Sequence, residues 1–187
     1  MRRISCSARM RVISLTAVFL SIFVSSAAWA DDSAEAFMSA TFGLSAVRTQ
    51  KRMENSGAVA FDYIRGGRLT MKGTFEQRSA IFVFGFHSKR GLNHKAVYLG
   101  SLGDATSDRA LYDAFREAYN ARFGITEERA LQNVRSKGRF TLQSSWKPNK
   151  DTVILLSYNP DITDRFPGNS PGSRPIHLIY NYTKWTK

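Results

Sequence analysis

The sequence predicts an α+β fold: an antiparallel sheet of about six or seven strands with one amphipathic helix packed on one face. Three observations predict it. Residues 58–102 and 139–158 alternate apolar and polar side chains with period two. Residues 104–123, between them, switch to helical spacing. Glycine, proline and short polar residues stand at the joints.

In chain order, Asp31–Thr41 reads as a short helical turn capped by Ser33, and Phe42-Gly43-Leu44-Ser45 breaks it. Lys51–Asn55 reads as polar and exposed. From Ala58, Val59, Phe61 and Tyr63 alternate with Ala60, Asp62 and Ile64, and Gly66-Gly67 supplies the positive φ angles of a hairpin. On the return strand Leu69, Met71 and Gly73 face one way, Thr70, Lys72 and Thr74 the other. Ser79–His87 is apolar on both faces, which predicts a central strand. Lys89-Arg90-Gly91 turns the chain and Lys95–Leu102 returns, completing a four-stranded meander.

The helix follows at 104–123. Thr106 or Ser107 caps it, Asp108 suits its dipole, and Leu111, Phe115, Ala118 and Tyr119 form its apolar stripe. Gly124 is the expected positive-φ residue after its last turn. Thr126 and Arg129–Val134 suggest a further short turn. Arg139–Trp146 and Thr152–Tyr158 are strands joined by Pro148-Asn149-Lys150-Asp151. Asn159–Pro175, with Pro160, Pro167, Pro171, Pro175, Gly168 and Gly172, is a long irregular loop. Ile176–Trp185 closes the chain as an edge-like, aromatic-rich strand. A sheet with a single covering helix leaves its other face partly open, available for self-association or for a ligand.

The first thirty residues have the three regions of a cleavable secretory signal. Arg2, Arg3, Arg9 and Arg11 form a positive start, Val12 to Val24 an apolar run, and Ala28-Trp29-Ala30 a small-residue cleavage site. Thirteen helical residues reach only about 20 Å, against about 30 Å of hydrocarbon in a bilayer. Met10–Ala30 is a complete signal by itself. The expected organisation is therefore a signal over 1–30 and a single domain over 31–187, located in the periplasm or secreted from a bacterial cell.

Removing 1–30 takes four of the 27 basic residues, leaving 23 against 15 acidic, a net charge of +8 rather than +12. It also removes Cys6, the one cysteine, and with it disulfides, thiolate catalysis and cysteine-based metal sites. Thirteen Phe, seven Tyr and three Trp supply the core instead. Export turns the expected polyanion away from nucleic acid and toward phospholipid or lipopolysaccharide head groups. The best anion-contacting candidates are the Lys89-Arg90 turn and the cluster Arg135, Lys137 and Arg139.

Three histidines are present, and His87, His94 and the nearby Asp104 are the candidates for an acid–base or metal site. No HxH, HExxH or HxxxH spacing, G-x-S-x-G elbow, Walker loop or dinucleotide fingerprint accompanies them, so no cofactor is expected. Asp113 and Glu117 each have an arginine close by, Arg109 or Arg116, and read as paired surface charges. The sequence therefore points to an exported, non-catalytic envelope protein that binds a ligand, an anionic surface or a protein partner, with a homo-oligomer through the open face as one form. The alternative is a small periplasmic hydrolase or metal-dependent enzyme built on the histidines and Asp104.

Overall fold

A computed structural model describes residues 32–62, 67–101, 103–132, 140–160, 162 and 174–185. The expected signal with Ala28 and Ala30, the cluster Arg135, Lys137 and Arg139, and most of the loop expected over 159–175 lie outside them. Within the described residues the order is α1 (Asp32–Ser39), α2 (Ala46–Asn55), β1 (Val59–Asp62), β2 (Arg68–Phe75), β3 (Arg78–His87), β4 (Gly91–Leu99), α3 (Ala105–Phe123), β5 (Arg129–Gln132), β6 (Phe140–Asn149), β7 (Thr152–Tyr158) and β8 (Ile176–Tyr182). A 3-10 turn, Thr183–Trp185, follows. The eight strands form one antiparallel sheet in the order β1-β2-β3-β4-β8-β7-β6-β5. The fold class is α+β, with eight strands rather than six or seven and three helices rather than one.

The strand pairing explains what each face does. Met71, Phe82, Val97, Leu178, Leu156 and Ser144 are successive cross-strand partners from β2 to β6. Most of that row is buried in one cluster with Phe37 of α1, Met53 of α2 and Tyr112 and Tyr119 of α3. The alternate row, Thr70, Val83, Ala96, Ile179, Leu155 and Ser145, points the other way. There Ile81, Val83 and Ala96 form a separate small cluster with Tyr98 and Ile179, and no described helix joins it.

Several predicted elements need correction. Lys51–Asn55 is the second half of α2, which Ser45 caps by accepting from the Arg48 N–H and which buries Thr49 and Met53. Arg129–Gln132 is an edge strand rather than a turn. Asp104, not Thr106 or Ser107, caps α3. Tyr112, rather than Leu111, is its fully buried side chain, while Ala118 is exposed. The last strand is not an edge: β8 lies between β4 and β7.

The linker between α1 and α2 is stitched to the start of β4. Gly43 N–H donates to Leu92 O (2.9 Å) and Leu92 N–H to Leu44 O (2.8 Å). That approach requires Gly91, at φ +78°, where a Cβ would lie 2.6 Å from Leu44 O and closer still to Gly43 O. Gly91→Ala is expected to cost about 2 kcal/mol through strain and displacement of the linker. Chemical denaturation checks this, and an unchanged midpoint would show that the linker yields freely.

Candidate functional site

The most chemically furnished part of the helix-free face is a cleft near the β3–β4 hairpin. Its floor is a cross-strand row: Arg68 on β2 faces Gly85 on β3, Gly85 faces His94 on β4, and His94 faces Asn181 on β8. Gly85 carries no side chain, so a gap opens between the arginine and the imidazole. The resulting cleft has a volume of about 400 Å³, and Val83, Asn93 and Tyr98 also line it. That volume lies toward the small end of the roughly 300–1,000 Å³ of small-ligand sites.

Adjacent residues of a strand ordinarily face opposite sides, yet Asn93 and His94 both border this gap. The register supplies the reason. Gly85 pairs with His94 but Phe86 pairs with Leu92, so Asn93 is the extra residue of a bulge. A bulge re-aims a side chain. A Cβ built on Gly85 would find Asn93 Oδ1 at 3.6 Å, His94 Cδ2 at 3.7 Å and His94 Cβ at 3.1 Å. His94 Nδ1 lies 2.6 Å from Asn181 Oδ1. An amide oxygen only accepts, so this contact takes its proton from Nδ1, and the Cδ2 edge of the ring borders the gap.

The electrostatics are one-sided. Among the described residues no carboxylate lines the cleft and Arg68 has no ion-pair partner. Burial pushes the Tyr98 phenol up, and the Arg68 charge opposes this, which places the guanidinium close to the tyrosine. Behind Tyr98, the His177 ring stands edge-on with centroids 4.8 Å apart. Its Nε2 donates to Arg174 O at 2.8 Å. Burial pulls the His177 pKa down and the Arg174 carbonyl opposes this.

Of the sequence candidates among the described residues, the structure brings only His94 to this cleft. His87 ends β3, where its Nδ1 accepts from the Lys89 N–H at 3.2 Å. Asp104 is exposed at the head of α3, and its Oδ1 accepts from the Ser107 N–H at 2.6 Å. Hydrogen bonds from Ser107 hold its carboxyl below the usual range. From His94 to the end of β4 at Leu99 is about 17 Å of strand, and Asp104 lies beyond that end. The histidines and Asp104 therefore do not converge, and among the described residues no group of three His, Cys, Asp or Glu is placed to hold a metal ion. Lys89 and Arg90 are exposed on the hairpin turn. Arg109 pairs with Asp113 at 2.8 Å, a helical i,i+4 contact, and with Glu128 at 3.2 Å.

Sequence reasoning missed Arg68, Asn93, Tyr98 and Asn181. One signal was legible: a glycine inside the apolar strand SAIFVFGFH marks a bulge or a close approach. Compared with known proteins, the chain matches no family model, no curated sequence and no solved structure. The fold and the cleft define a class alone: an α+β protein with one eight-stranded antiparallel sheet and, on the face that no described helix covers, a cleft whose described lining includes an arginine and no carboxylate.

Proposed function

We propose that the chain is an exported, non-catalytic protein of the bacterial envelope that binds an anionic component there through the helix-free face of its sheet. The observation that carries this is the cleft beside Gly85, lined by Arg68, Asn93, His94 and Tyr98, with no acidic residue among the described lining residues. The signal-like residues 1–30 and the net charge of +8 left without them support an anionic partner outside the cytoplasm.

The test is sedimentation of the exported protein with phosphatidylglycerol vesicles and with lipopolysaccharide over a salt series. Binding is expected to weaken steeply as salt rises. It should also fall when carboxylates are placed on the same face, away from the cleft, by Ser145→Glu with Gln143→Glu on β6. Absence of binding, salt-independent binding or indifference to the two carboxylates overturns the proposal.

A second function is favoured by one specific contact. Asn181 holds His94 Nδ1 while the Cδ2 edge of the ring borders the cleft, an arrangement suited to an Nε2 general base that activates water in a small hydrolase. If that is its role, His94→Gln abolishes turnover of an ester or phosphoester probe; if the cleft only binds, no His94-dependent turnover is found.

A further inference from the structure

The geometry points to the gap over Gly85 as a site for a small oxyanion that carries hydroxyl groups beside its charged end, a phosphate monoester or a carboxylate of the glycerol-phosphate or sugar-acid type. The inference deepens the proposed binding function and rests on the helix-free face being the binding face.

A ligand in the gap meets two kinds of group. On the β2 side is Arg68, whose planar guanidinium offers paired N–H donors to two oxygens of a phosphate or carboxylate. On the β4 side are acceptors. Asn93 turns its amide oxygen toward the gap, 3.6 Å from the position of a Cβ on Gly85. His94 borders it with Cδ2, 3.7 Å from the same position, and in the tautomer that donates Nδ1–H to Asn181 its Nε2, bonded to that carbon, is an acceptor. A bare oxyanion satisfies the arginine and leaves the acceptors facing its lone pairs. A ligand with hydroxyls next to the anion satisfies both sides, each hydroxyl donating to Asn93 Oδ1 or His94 Nε2. A purely apolar ligand satisfies neither.

The bulge makes this arrangement possible. With regular pairing Asn93 would point to the helix-covered side, and only His94 would border the gap. The space depends on Gly85 as well, since any side chain there presses on His94, whose Cβ would lie 3.1 Å from the new Cβ.

Free phosphate esters and the head groups of anionic lipids share this chemistry. The exported protein, labelled with ¹⁵N, is titrated with inorganic phosphate, with glycerol 3-phosphate and with phosphatidylglycerol vesicles. Glycerol 3-phosphate is expected to shift the amides of Arg68, Gly85, Asn93 and His94, and to bind about tenfold or more tightly than inorganic phosphate. Arg68→Ala should weaken it about tenfold or more, and Gly85→Val should remove it. Vesicles that compete with glycerol 3-phosphate for these amides identify a head group as the natural source. Vesicles that leave them unshifted while glycerol 3-phosphate binds identify a free ligand. Shifts confined to the Lys89-Arg90 turn, or undiminished binding in both Arg68→Ala and Gly85→Val, overturn the inference. If both cleft variants still bind vesicles while Ser145→Glu with Gln143→Glu does not, the cleft is excluded and the binding face stands. If none of these variants changes vesicle binding, the face fails as well.

Discussion

Asp108→Ala is expected to destabilise the protein by about 3–5 kcal/mol, the usual consequence of stranding one member of a buried ion pair. Asp108 is 3 % and Arg78 5 % exposed. Asp108 sits in the first turn of α3, where a negative charge also suits the helix dipole. One of its oxygens accepts from Arg78 and the other from the Ser101 hydroxyl. Arg78 also donates to Gly100 O at 3.3 Å and to Ser107 O at 3.2 Å. One guanidinium thus joins the start of β3, the end of β4 and the head of α3. Without the carboxylate its buried charge keeps two carbonyl contacts and the charges of Glu76 and Asp104, neither of which is ion-paired to it. The double variant Arg78→Met, Asp108→Leu removes both charges and should recover most of the loss. Urea denaturation of the two single variants and the double variant measures this. An Asp108→Ala loss below about 1 kcal/mol would mean that the pair behaves as a solvated surface bridge.

Lys95→Met is expected to lower stability by about 3 kcal/mol and to change its pH dependence. Lys95 lies on the helix-covered face, 5 % exposed. Its Nζ donates to Phe37 O, Met38 O and Ala40 O at 2.9, 2.9 and 3.0 Å. Phe37 and Met38 stand in the last turn of α1 and Ala40 just beyond it, where Phe37 O also accepts from the Ala40 N–H at 3.2 Å; a lysine from the sheet thus completes the C-terminal cap. The ammonium also lies 5.0 Å from the centre of the Phe37 ring and 4.8 Å from that of Tyr180. No carboxylate pairs with it among the described residues, and burial pushes its pKa down to about 8.

The folded chain therefore holds this proton less tightly than the unfolded chain. Below pH 8 both states are protonated and the burial penalty is constant. Between about 8 and the ordinary value of 10.5 the unfolded chain binds more protons, so stability rises with pH, by up to about 3 kcal/mol. Above pH 10 the tyrosines oppose this. Burial raises Tyr119 and Tyr180, so unfolding then releases phenol protons and stability falls. Wild-type protein should show a stability maximum near pH 10 in denaturation curves, and Lys95→Met should lack the rise toward it. A flat wild-type profile from pH 8 to 10 would mean that the lysine is not desolvated. Hydrogen exchange supplies a second readout, because the α1 amides should lose protection in the variant before the sheet does.

How much of this was legible depended on how local the determining contact is. The strand Thr152–Tyr158 agrees residue for residue with β7, since its apolar run is bounded by turn residues at Asn149 to Asp151. The helix at 104–123 and the meander of the first four strands were legible for the same reason. The second helix was hidden because only Thr49 and Met53 of its ten residues are buried. The last strand read as an edge because His177 and Asn181 interrupt its apolar residues. Those two face the side without a helix, and the pattern is that of a central strand with one open face.

The sequence by itself determined the periods of the elements, the positions of most turns and the α+β class, because those follow from dihedral preferences and from which side chains avoid water within a few residues. It carried one hint of the cleft, the glycine inside β3. Tertiary structure alone decided that β8 pairs with β4, that Asn93 bulges, and that Arg68, Gly85, His94 and Asn181 share one row. The same holds for the lysine of β4 that caps α1 and for the arginine of β3 that meets the head of α3. Each joins residues far apart in the chain, and such contacts are selected by the packing of the whole sheet rather than by any preference of the residues that make them.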